Sequence, residues 1–96
     1  MAERTFYLEL ATPNDLVHQG EVTALVVPAA EGFLGVLAGH APLRAALTMG
    51  RLRFDPIKGG PRWFEVTGGL LDVARDRVTI LADAASPLVQ ADVEKA

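Results

Sequence analysis

Apolar residues in this chain recur at every second position, in runs that glycine or proline soon cuts short, a period that belongs to half-buried strands and not to helices. Thr5 to Ala11 sets the pattern, with Phe6, Leu8 and Leu10 on one face and Tyr7 and Glu9 on the other, and Pro13-Asn14-Asp15 closes it with a turn. Gly20 separates Leu16-Val17-His18 from a β-branched run, Glu21 to Val27, in which Val22, Ala24 and Val26 are spaced two apart. Pro28, which has no N–H to give a ladder, is expected to end it.

Glycines 32, 35 and 39 then flank a short apolar strand expected at Leu34 to Leu37, which leaves Phe33 in a loop. Ala41 to Leu47 continues with small and apolar residues, and Met49-Gly50 marks the next expected break. Arg51 to Asp55 alternates again, Leu52 and Phe54 inward, before the loop Pro56 to Pro61. Arg62 to Thr67 carries a Phe64/Val66 face and a Trp63/Glu65 face. Gly68-Gly69 follows, where a bulge or a close backbone approach is expected. Leu70 to Ala74 and Val78 to Ala82 flank Arg75-Asp76-Arg77 as the arms of a hairpin.

The pattern predicts an all-β sandwich or flattened barrel over residues 1–87, with no helix before residue 88. Residues 88–96 form a short tail in which Gln90 to Lys95 could begin a helix too short to be stable alone. With 96 residues, half of them apolar, the chain has material for one core. Its formal charge of -3 comes from interspersed acids and bases, without the basic stripe that nucleic acid needs. No apolar run approaches the length of a membrane span, so direct membrane insertion is not expected.

The residues offer little to catalysis. Cysteine is absent, which removes thiolate nucleophiles and thiolate metal sites. The only serine, Ser86, stands beside Pro87 without a neighbouring histidine. His18 and His40 have no carboxylates at metal-ligand spacing, and the glycine-rich segment matches no phosphate-binding pattern. No cofactor, metal or catalytic residue is expected. His40 has two readings, a half-buried ring bonding a loop carbonyl or a contact at a subunit interface. Trp63 and Phe33 are the large apolar side chains that the alternation does not bury, and exposed together they would mark a protein-binding patch.

Glu31-Gly32-Phe33-Leu34-Gly35-Val36-Leu37-Ala38-Gly39-His40-Ala41-Pro42-Leu43 resembles the EGxxGxxxGHAPL run of epsilon subunits of F-type ATP synthases, called delta in mitochondria. Thr67-Gly68-Gly69-Leu70-Leu71-Asp72-Val73 and Val78-Thr79-Ile80-Leu81-Ala82-Asp83-Ala84-Ala85 are similar to two further strands of that family, in the same order. The resemblance implies a sandwich of about ten strands. It further implies a non-catalytic subunit of the central rotor stalk that docks a gamma subunit onto the c ring and couples ion flow to ATP synthesis.

By the same resemblance Glu31, Gly32, Phe33 and His40 face the c ring, and Thr12, Pro42 and Ala45 face gamma. Phe33 departs from the family, many members of which carry an acid there, and so implies an apolar contact. The family usually continues into an antiparallel helix pair that inhibits hydrolysis and in some members binds ATP. Residues 88–96 are too few to form that pair, so neither property is expected of these 96 residues. The implied location is the cytoplasmic face of the membrane, in a peripheral complex. The alternative reading is a sandwich that binds a ligand or protein outside ATP synthase.

Overall fold

The computed structural model describes residues 4–89, so the expected helix start at Gln90 to Lys95 lies outside the described residues. Seven strands form one continuous sheet: β1 (Phe6–Ala11), β2 (Leu16–Ala29), β3 (Gly32–Val36), β4 (Leu43–Pro56), β5 (Arg62–Ala74), β6 (Arg77–Ala82) and β7 (Ala85–Leu88). The order β1-β6-β5-β4-β2 closes on itself, because β1 pairs β2 antiparallel as well as β6 in parallel. Closure leaves the five ring strands without a free edge, while β3 and β7 hang from β2 and β5.

The all-β expectation holds, with fewer and longer strands than about ten. β2, β4 and β5 each run through a glycine where the alternation suggested a break, and dividing each once would raise seven to ten. Each interruption has a local explanation. Gly20 stays in register opposite Leu8. Pro28 does not end β2 but faces Phe33 across the β2–β3 hairpin, and its missing N–H falls where the β2–β4 ladder is irregular, between Val26 and Ala29. Gly50 lies against that same proline: a Cβ there would sit 2.9 Å from the Pro28 Cβ, so Met49-Gly50 gives the proline ring room and β4 continues.

At Gly69 the expected close approach is present. Its φ is 142°, and an added methyl group would collide with the Leu81 carbonyl and lie 2.7 Å from the Ala82 Cα.

The core comes from the inward positions of every ring strand. Phe6, Leu8 and Leu10 are buried as the alternation predicts, as are Leu52, Phe54, Phe64, Val66, Val73, Val78 and Ile80. In β2 the even spacing misleads. One extra residue between Val22 and Ala24 forms a bulge that exchanges the faces, so Val22 is inward but Leu25 and Val27 replace Ala24 and Val26 beyond it. No polar or charged residue is buried among those described.

The Arg75-Asp76 turn joins β5 to β6, with Asp76 at φ 57°. Ser86 and Pro87, at the end of the expected sandwich, lie in β7, opposite Glu65 and Phe64. Arg77 fastens β1 to β6 by stacking over Tyr7 at 4.7 Å and bonding the Glu9 carboxylate at 3.0 Å.

Candidate docking surfaces

The β2–β3 hairpin turns at Ala30-Glu31, which exposes Glu31 and starts β3 at Gly32. Phe33 is therefore a strand residue, and its ring lies on the outer surface, 72% exposed. Because β3 is a marginal strand paired only to β2, nothing covers that face among the described residues. Strand register carries the apolar surface onward: Val26 stands opposite Arg53 on β4, Arg53 opposite Trp63 on β5, and Trp63 opposite Leu88 on β7. Val26, Phe33, Arg51, Arg53 and Trp63 line one open groove of about 310 Å³. Met49, 73% exposed, flanks Phe33 on the other side.

One of the two cations in this groove is held in place. Arg53 donates to the Asp55 carboxylate from Nε at 2.9 Å and from Nη2 at 3.2 Å, and its guanidinium lies 5.7 Å from the Trp63 ring centroid. Arg51 projects from the same strand face without an ion pair among the described residues. Aromatic and arginine side chains on an otherwise apolar strip are the composition of a protein-docking surface.

His40 sits in the segment between β3 and β4. Its N–H donates to the Leu37 carbonyl at 3.1 Å, closing the turn, and its ring Nδ1 donates to the Ala41 carbonyl at 2.8 Å. That is the local, loop-bonding arrangement of the first reading. His40 and Pro42 border a recess of about 390 Å³ together with Arg4, Arg75 and Asp76.

The seven residues singled out in the sequence thus fall in three places. Glu31, Gly32 and Phe33 line a recess of about 530 Å³, and Ala45 lines it with them. His40 and Pro42 share the second recess. Thr12 lies at the far end of β1 from the Arg75-Asp76 turn, where its Oγ1 accepts from the Asp15 N–H at 3.2 Å. Ala45 therefore borders the residues assigned to the ring, and Pro42 borders His40, while Thr12 is separated from both by the length of a six-residue strand.

The sequence singled out Phe33 and Trp63 and left open whether they share one surface. The structure brings them into one groove, with Val26 and Arg53 as partners that only the register between strands could disclose.

His18 stands apart from both recesses. Its ring packs on Phe54 at 4.4 Å between centroids, and its Nε2 is buried without a hydrogen-bond partner. Burial, and then the nearby Arg62 charge, hold its pKa below the usual histidine value. Among the described residues no group of three His, Asp or Glu side chains is placed to hold a metal ion.

A closed, mostly antiparallel sheet with an outward apolar strip is a small β-sandwich. The family model for the ATP synthase delta/epsilon chain β-sandwich domain matches residues 5–88. The chain belongs to that family. It is similar to the ATP synthase epsilon chain of Solibacter usitatus, 44% identical over 92 residues, which are 96% of this chain and 68% of that one. It is also similar to the epsilon chain of Syntrophomonas wolfei, 38% identical over 96 residues, all of this chain and 70% of that one.

Among solved structures, a chain of the Euglena gracilis mitochondrial ATP synthase, in an assembly of OSCP, F1 and c-ring, superposes with a TM-score of 0.83 at 30% identity over 95% of this chain and 58% of its own length. A chain from the central stalk and c-ring of the Tetrahymena thermophila enzyme shares the fold, with a TM-score of 0.70 at 16% identity over 88% of this chain and 68% of its own.

Proposed function

We propose that this chain is a non-catalytic subunit of the rotor stalk of an F-type ATP synthase, joining a gamma subunit to the c ring so that ion flow and ATP synthesis are coupled. The observation that supports this most is the outer strip of exposed Phe33, Val26 and Met49 with the half-buried Trp63, on a member of the delta/epsilon family. An apolar strip with a fixed arginine stabilises a complex by burial and by shape, without any reacting group.

In this reading Glu31, Gly32, Phe33 and His40 contact the ring, and Pro42 and Ala45 contact gamma. Because Ala45 lines the recess of Glu31 to Phe33, the two footprints adjoin along β4. A gamma footprint that also takes in Thr12 must run the length of β1. The chain itself enters no membrane in this account; no helix among the described residues is long and apolar enough to cross one.

Ligand binding by stacking on Trp63, the alternative, has less support, because the Arg53 guanidinium already lies against that ring. Co-expression with a gamma subunit tests the proposal. A stable one-to-one complex is expected, and failure to form one while the chain keeps its β-sheet circular-dichroism spectrum contradicts it.

A further inference from the structure

The recess beside His40 differs in kind from the apolar strip. Three chain segments converge on it: Arg4 before β1, the Gly39 to Pro42 turn, and Arg75 and Asp76 between β5 and β6. Arg4 lays its guanidinium over Gly39, with Nη2 3.1 Å from the point where a Cβ would stand, so the absence of a side chain there gives the cation its seat. Gly39 also holds φ at 86°, a conformation that other residues rarely adopt.

The charges in the recess are unbalanced. Three arginines elsewhere on the surface are paired with carboxylates, Arg44 with Asp72, Arg53 with Asp55 and Arg77 with Glu9. Neither Arg4 nor Arg75 has such a partner among the described residues, although Asp76 lines the same recess. Two guanidinium groups thus border one cavity of about 390 Å³ with a single carboxylate between them, in a chain whose formal charge is -3.

From this geometry we infer that Arg4, Arg75 and the Gly39-His40 turn form a binding site for a phosphate-type oxyanion, a free phosphate or the phosphodiester of a lipid headgroup. Guanidinium forks match phosphate oxygens in shape as well as charge, and carrying two of them on separate segments that border one recess lets one anion bridge the N-terminal segment to the β5–β6 turn. The site does not depend on a place in the rotor stalk, so it stands or falls separately from that proposal.

Amide nitrogen–proton correlation spectra of the 96-residue chain test it. The chain is titrated at constant ionic strength with inorganic phosphate, and in parallel with dihexanoyl-phosphatidylglycerol below its micelle concentration. Saturable shifts at Gly39, His40, Arg75 and Asp76 are expected. Response to phosphate assigns a free anion, and response to the lipid alone assigns a headgroup.

Arg4→Gln with Arg75→Gln should weaken the titration about fivefold or more while leaving the rest of the spectrum dispersed, and the paired lysine variants, which keep the charge but not the fork, should restore only part of it. Absence of saturable shifts with either ligand, or shifts that the glutamine variants leave undiminished, overturns the inference.

Discussion

At Gly69 a methyl group would run into the Leu81 carbonyl and the Ala82 backbone, and the residue holds a φ of 142°. Gly69→Ala is therefore expected to cost stability on two grounds, strain and collision, and a loss of more than about 1 kcal/mol in chemical denaturation is predicted.

Leu8 makes the contrasting case of an ordinary core residue. It is fully buried on the strand that closes the barrel, and Leu8→Ala should cost about 2–5 kcal/mol on the same measurement. Phe33→Asp should cost little, within about 0.5 kcal/mol, because the ring is 72% exposed, while weakening association with a partner on the outer strip.

His18 links a residue to solution conditions. Its pKa is lowered in the folded chain by burial and by Arg62, so between that value and the ordinary one of 6.5 the unfolded chain binds more protons than the folded one. The stability this neutral ring supports is present above pH 6.5 and is lost as the pH falls toward the folded value. His18→Phe keeps an aromatic ring against Phe54 and should flatten that slope in a denaturation series across pH. An unchanged slope would place the acid sensitivity elsewhere.

At the scale of elements, the sequence disclosed strands more readily than their ends. β1 and β6 were legible because every second residue is apolar and buried, and the Arg75-Asp76 turn followed from the two arms around it, the second of them β-branched. β2 and β4 were harder, because Pro28 and Gly50 look like terminators in a single strand but compensate each other across the ladder. Bulges are equally hidden: the residue inserted near Thr23 turns Val26 outward and Leu25 inward, and no one-dimensional period carries that information.

Gly50→Val offers a test of the compensation. It should destabilise the chain through contact with the Pro28 ring, and adding Pro28→Ala should recover part of the loss in a double-mutant cycle. Additive effects would mean that the two residues act independently.

For the whole molecule, the single residues Phe33, His40 and Trp63 were visible in the sequence, and the surfaces they belong to were not. The outer strip is assembled from β2, β3, β4 and β5, and the recess at His40 from segments that begin with Arg4 and end with Asp76, so both depend on the closed topology. Closure also explains why a small chain can present two distinct surfaces on one rigid frame. The barrel needs no free edge for its own stability, and β3 is left as an edge whose outward amides can serve a partner.

Hydrogen–deuterium exchange of the chain, alone and assembled with gamma and the c ring, tests the rotor-stalk account most directly. Rapid exchange at the outward amides of β3 and in the turn around His40 is expected for the isolated chain, with slowing at both on assembly. A complex that leaves β3 and residues 37–46 exchanging as in the free chain would contradict it.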